Sequence, residues 1–131
     1  MVKKGIFLVL VAGSLVLSGQ VMAKSCGDEA NTLAIVDCHQ DQYKAADKEL
    51  NAVYGEAMKT LEPAAKQKLK DAQKAWLKSR DGNIAFMIEQ NKDSGSYGDI
   101  VVADYKTKVV QKRVLELKYM FSGPESTPVE W

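Results

Sequence analysis

The sequence predicts an all-α protein: a small antiparallel three-helix bundle with a short, disulfide-stapled N-terminal arm. Three observations carry this. Apolar residues between positions 43 and 121 recur at steps of three and four, the spacing of helices buried along one stripe. The breaks between these runs, Glu62-Pro63 and the stretch from Asn91 to Gly98, are rich in turn formers. The only two cysteines, Cys26 and Cys38, follow a segment that reads as an export signal.

That segment is residues 1–23. Lys3 and Lys4 supply a positive start, Gly5 to Leu17 an apolar core, and Val21-Met22-Ala23 a small-x-small cleavage site, so the mature chain is expected to begin at Lys24. The apolar core is shorter than the ~20 residues that span a bilayer. Gln20 stands where a lipid-bearing cysteine would follow Leu17-Ser18-Gly19, so no membrane anchor is expected after cleavage. Export to a periplasmic or extracellular compartment makes a Cys26–Cys38 disulfide the default. Closing that 13-residue loop contributes about 3 kcal/mol on the chain-entropy account and holds the arm from Asp28 to Val36 against the first long helix. A redox or metal site fits poorly, since the spacing is not C-x-x-C and His39 is the only histidine.

Leu33 to Val36 is expected to form a first turn or small helix. The first long helix then runs from Asp37 or Gln40 to Leu61, with Tyr43, Asp47, Leu50, Tyr54, Ala57 and Leu61 inward. Pro63 suits the first turn of a second helix, where its missing N–H would have no partner anyway. That helix continues to Gln90, with Ala65, Leu69, Ala72, Trp76, Ser79, Asn83 and Phe86 inward and Gln73 and Arg80 beside them. A loop from Asn91 to Gly98 leads to a third helix, capped by Asp99 or Ser96 and ending near Phe121. Its inward stripe is Ala103, Thr107, Val110, Val114, Leu117 and Phe121. Residues 24–121 thus form one domain, and 122–131 a flexible tail.

Folding the first two helices back about Glu62-Pro63 sets Asp47 level with Lys78, and Arg80 only about 3 Å further along the axis. Its guanidinium would then reach the Asp47 carboxylate. The same count brings Asn51 near Gln73. The expectation is an interhelical polar cluster of Asp47, Asn51, Gln73 and Arg80 beside Tyr54 and Trp76. Such a cluster either holds a ligand or fixes the pairing of helices, and the second role is the better attested. Folding the third helix back places Arg113 level with Trp76, where its cation can lie over the indole or the side chain can lie along the helix surface with its stem packed.

These residues carry a resemblance. Asp47, Leu50-Asn51, Tyr54, Leu69, Gln73, Ala75-Trp76 and Arg80-Asp81, with Cys38 nine residues ahead and Arg113 to Leu117 near the end, resemble the lysozyme inhibitor LprI-like family, long catalogued as a domain of unknown function. The similarity runs from Cys26 to about Phe121. The family usually has a second cysteine pair; here Asn83 stands at one of its positions and no later cysteine follows, which implies the same fold with one staple fewer.

Composition narrows the function. The mature chain has 16 basic against 17 acidic groups and no basic stripe interleaved with aromatics, which argues against a nucleic-acid partner. No nucleophile-base pair, glycine-rich phosphate loop or metal-ligand set is apparent, so no enzyme, cofactor or metal is expected. The resemblance implies a protein partner, a lysozyme whose cleft is sterically occluded. Lys92, Asp93, Ser94, Ser96 and Tyr97 are the candidate contact loop, offering a cation, hydroxyls and an aromatic anchor; a plain connector is the alternative. Two other functions fit the same chain: an immunity protein against a cell-wall-degrading toxin, and a non-inhibitory structural or stress-related envelope module.

Overall fold

A computed structural model describes residues 25–123. The expected export signal and residues 124–131 of the expected tail lie outside them. The described chain is a 3-10 turn, Cys26–Asp28, followed by three helices: α1 (Thr32–Thr60), α2 (Pro63–Asn91) and α3 (Gly95–Ser122). There is no strand among the described residues, and no helix among them is long and apolar enough to cross a membrane.

Each helix begins where local chemistry allows it. The Asn31 side chain accepts the Ala34 N–H at 3.0 Å, so α1 starts at Thr32 and absorbs Leu33 to Val36 rather than leaving them as a separate turn. Pro63 opens α2 as expected. Cys26 is buried and joined to Cys38, fixing the 3-10 turn against the first turns of α1.

The packing differs from a simple hairpin. α1 lies along α3, α2 packs less extensively on α3, and α1 and α2 scarcely approach one another. Because the chain reverses twice, α1 and α3 run parallel. The Thr107 hydroxyl reaches the His39 carbonyl (2.9 Å), 68 residues away, and Lys118 pairs with Glu49, 69 residues away, so the register is constant along the pair. Ala46 and Leu50 of α1 meet Val110, Val114 and Leu117 of α3 in the core, with Tyr43, Val53, Tyr54, Leu69, Trp76 and Val109 half-buried against it. Each fully buried aliphatic side chain contributes about 1.5–3 kcal/mol.

α2 is held more lightly. Its one buried residue is Gln73. The expected inward stripe through Ala72, Ser79, Asn83 and Phe86 is exposed, and the half-buried and buried positions are Lys66, Leu69, Gln73, Trp76, Arg80, Ile84, Met87 and Asn91. The inward side is therefore rotated toward the two polar residues expected to flank it. Gln73 finds its partner on α3, in Arg113, while Arg80 lies over Trp76 and pairs with Asp81 within α2.

Candidate functional site

The polar cluster forms on a different seam from the one expected. Its centre is Trp76, with the Arg80 guanidinium 5.3 Å and the Arg113 guanidinium 5.5 Å from the ring centroid. Arg113 is buried and donates through Nε to Gln73 Oε1 (3.1 Å) and through Nη1 to Glu116 (2.7 Å). Arg80 donates through Nε and Nη2 to its neighbour Asp81, at 2.9 and 2.8 Å. Gln73, Trp76 and Arg80 of α2 are thus joined to Arg113 and Glu116 of α3.

Asp47 and Asn51 are not members. Asn51 is exposed and its amide lies 3.4 Å from Asp47 within α1, so the expected Asp47–Arg80 pair is replaced by Asn51–Asp47 and Arg80–Asp81. The cause is architectural: counting back about Glu62-Pro63 treats α1 and α2 as close neighbours, whereas both pack on α3. Tyr54 is half-buried against the apolar core. The level of Arg113 and Trp76 is as the sequence indicates. Glu116 was missed, although its position three residues after Arg113, one turn along the same helix, is a usable signal.

The corner between α2 and α3 is tighter than the expected eight-residue loop. Only Lys92 to Ser94 lie outside the helices, and α3 starts at Gly95 after Ser94, ahead of both expected caps, Ser96 and Asp99. Two glycines make this possible. Gly95 takes φ 55°, a left-handed value that turns the chain. Gly98 is buried in the first turn of α3, where an added Cβ would meet the Asn91 carbonyl oxygen at 2.5 Å. Further ties close the corner: Ser94 N–H to Asn91 O (3.0 Å), the Asn91 amide to Met87 O (2.8 Å), and a Lys92–Glu89 ion pair.

This rigid corner leaves Lys92, Asp93, Ser94, Ser96 and Tyr97 all exposed, with Tyr97 at 69%. Beside it an open groove of about 670 Å³ runs between α1 and α2 with α3 as its floor, lined in part by Leu33, His39, Tyr43, Ile88 and Lys106. Leu33 (71% exposed) and Ile88 (53%) put apolar surface at its mouth. His39 is largely enclosed, with Nδ1 3.9 Å from Asp104, and Lys106 lies 5.5 Å over the Tyr43 ring. Large exposed apolar side chains therefore gather where the candidate contact residues stand.

A protein-family model described as lysozyme inhibitor LprI matches residues 23–117, which takes in α1, α2 and α3 as far as Leu117. Comparison with curated proteins and with solved structures gives no match.

Proposed function

The chain belongs to the lysozyme inhibitor LprI family, and on that premise we propose that it is a periplasmic or secreted binding protein, not an enzyme, that inhibits a lysozyme-type muramidase by occluding its active-site cleft. The family match carries this reading. The geometry supports it by offering a means. An occluding inhibitor needs a rigid scaffold and a projecting segment that fits a cleft containing two carboxyl groups.

The α2–α3 corner is the proposed projection. Tyr97 is its aromatic anchor, Ser94 and Ser96 supply hydroxyls, and Lys92 supplies a cation. Lys92 is engaged by Glu89, but that pair is exposed, so exchanging Glu89 for a carboxylate in the cleft costs little. Leu33 and Ile88 add apolar area around the corner.

The test is a muramidase assay with the chain from Lys24, which holds all three helices and the disulfide, titrated against chicken-type, goose-type and invertebrate-type lysozymes. Saturable inhibition near one-to-one stoichiometry is expected with at least one class. The combined variant Ser94→Gly, Ser96→Gly, Tyr97→Ser should keep its helical signal and lose inhibition. Failure to inhibit any class sinks the muramidase reading; retained inhibition in the variant moves the contact to another face.

A further inference from the structure

We propose that the outer side of α2 is an adsorption surface for an anionic phospholipid bilayer. The observation is a segregation of charge that net charge conceals. Residues 25–123 carry fifteen Lys and Arg against fifteen Asp and Glu. Within that balance α1 has five carboxylates and three lysines, whereas α2 has six cations and three carboxylates.

The cations of α2 are concentrated further. Lys66, Lys68, Lys70, Lys74 and Lys78 fall within thirteen residues that contain one acid, Asp71, whose hydrogen bond comes from Gln67 (3.0 Å). Among the described residues none of these five lysines has a carboxylate within 4.0 Å, while Lys44, Lys59, Lys92, Lys108 and Lys118 each do. Lys66, Lys70, Lys74 and Lys78 step by four residues, so they form a row on one side of α2 about 18 Å long. Leu77, 37% exposed, lies within that row. Leu69, Gln73 and Trp76, which hold α2 to the rest of the molecule, lie to one side of it, where Lys66 is half-buried, while Lys70, Lys74 and Lys78 are exposed.

A row of ammonium groups without ion pairs, winding through about 120° on the convex side of a helix, matches an extended surface of phosphates better than a small ligand, which would need a concavity. Each lysine near an anionic leaflet adds an increment of attraction that disappears beyond a Debye length. α1 has an acid excess and α3, on which it packs, a similar excess of cations, so the attraction rests on the α2 row itself. The same row repels a cationic protein, so this surface is separate from the corner proposed to contact a lysozyme, and either proposal stands or falls without the other.

The experiment is co-sedimentation of the chain from Lys24 with vesicles of phosphatidylcholine, with and without about 30 mol % phosphatidylglycerol. Adsorption should be confined to the anionic vesicles and should weaken markedly between about 0.01 and 0.15 M salt. Replacing Lys70→Gln and Lys74→Gln should lower the partition coefficient about 25-fold, from about fivefold per lysine. Lys44→Gln with Lys48→Gln on α1 makes the same change in net charge and should lower it less than about twofold. The proposal is overturned by adsorption to neutral vesicles to the same extent, by equal losses in the two variants, or by no adsorption of the unaltered protein. The replaced α2 lysines make no ion pair, so a circular dichroism melt unchanged from the parent confirms that each variant is folded.

Discussion

Gly98→Ala should lower the melting temperature, and Gly82→Ala, the same chemical change sixteen residues earlier, should raise it. At Gly98 the new methyl group would lie 2.5 Å from the Asn91 carbonyl oxygen and 3.2 Å from both the Asn91 and Ser94 Cβ atoms. Ordinary contacts begin near 3.5 Å, so the end of α2 and the first turn of α3 must part by about 1 Å. A rotamer change gives no relief, because the obstructing atom is backbone and also accepts the Ser94 N–H at 3.0 Å. Overpacking of this kind costs about 1–3 kcal/mol, offset by up to about 1 kcal/mol of helix propensity. The net loss of about 1–2 kcal/mol is about 5–15 °C for a domain of this size. At Gly82 nothing lies within 4 Å of the added Cβ, so only the propensity gain remains, worth a rise of about 4–8 °C. Thermal melts followed by circular dichroism decide the matter. A Gly98→Ala protein that melts at or above the parent would mean that the corner is not closed by backbone contact, and the account of Gly98 would be wrong.

Two further predictions concern the α2–α3 seam. Arg113→Ala leaves the Gln73 amide oxygen buried without its donor and strips one cation from Trp76, which should cost about 2–4 kcal/mol in urea unfolding. Arg80→Ala loses an exposed partner, Asp81, and one indole contact, and should cost less than about 1.5 kcal/mol; equal losses would place the cluster elsewhere. Because α2 buries only Gln73 while α1 and α3 supply the core, amides of α2 should exchange with solvent through a local opening before those around Leu50 and Val110. Uniform protection across the three helices would contradict that order.

The helices were legible because their signals are local. Pro63 after Glu62, and the three-and-four spacing of Leu50, Ala57, Val110, Val114 and Leu117, report on backbone and burial without reference to distant parts of the chain. The Cys26–Cys38 bond was expected from the presence of two cysteines after a segment that reads as an export signal, and the pair is joined. Partner choice was not legible in the same way. Asp47, Gln73 and Arg80 have spacings that fit a seam between α1 and α2, and nothing in those spacings says that α3 will be the surface on which both helices pack. Arg113 held part of the missing information, since a cation level with Trp76 puts α3 against that face of α2. At the corner the glycines read as loop formers, yet Gly98 is helical. The demand on it comes from the approach of Asn91, which only the assembled turn creates.

The parallel pairing of α1 with α3 also sets an order of events as the chain is made. His39 and Glu49 find their partners 68 and 69 residues later, after the whole of α2 has been synthesised and reversed. Through that interval the apolar stripe of α1 has no native surface to cover it, because α2 is not its principal neighbour. The Cys26–Cys38 loop, by contrast, is complete after twelve residues and can close long before the bundle exists. Consolidation of the fold therefore waits on the last helix rather than growing from the first. A chain cut short before about Leu117 would carry a formed N-terminal staple and an amphipathic helix with its apolar stripe uncovered, the kind of intermediate that depends on holding factors to stay free of aggregation.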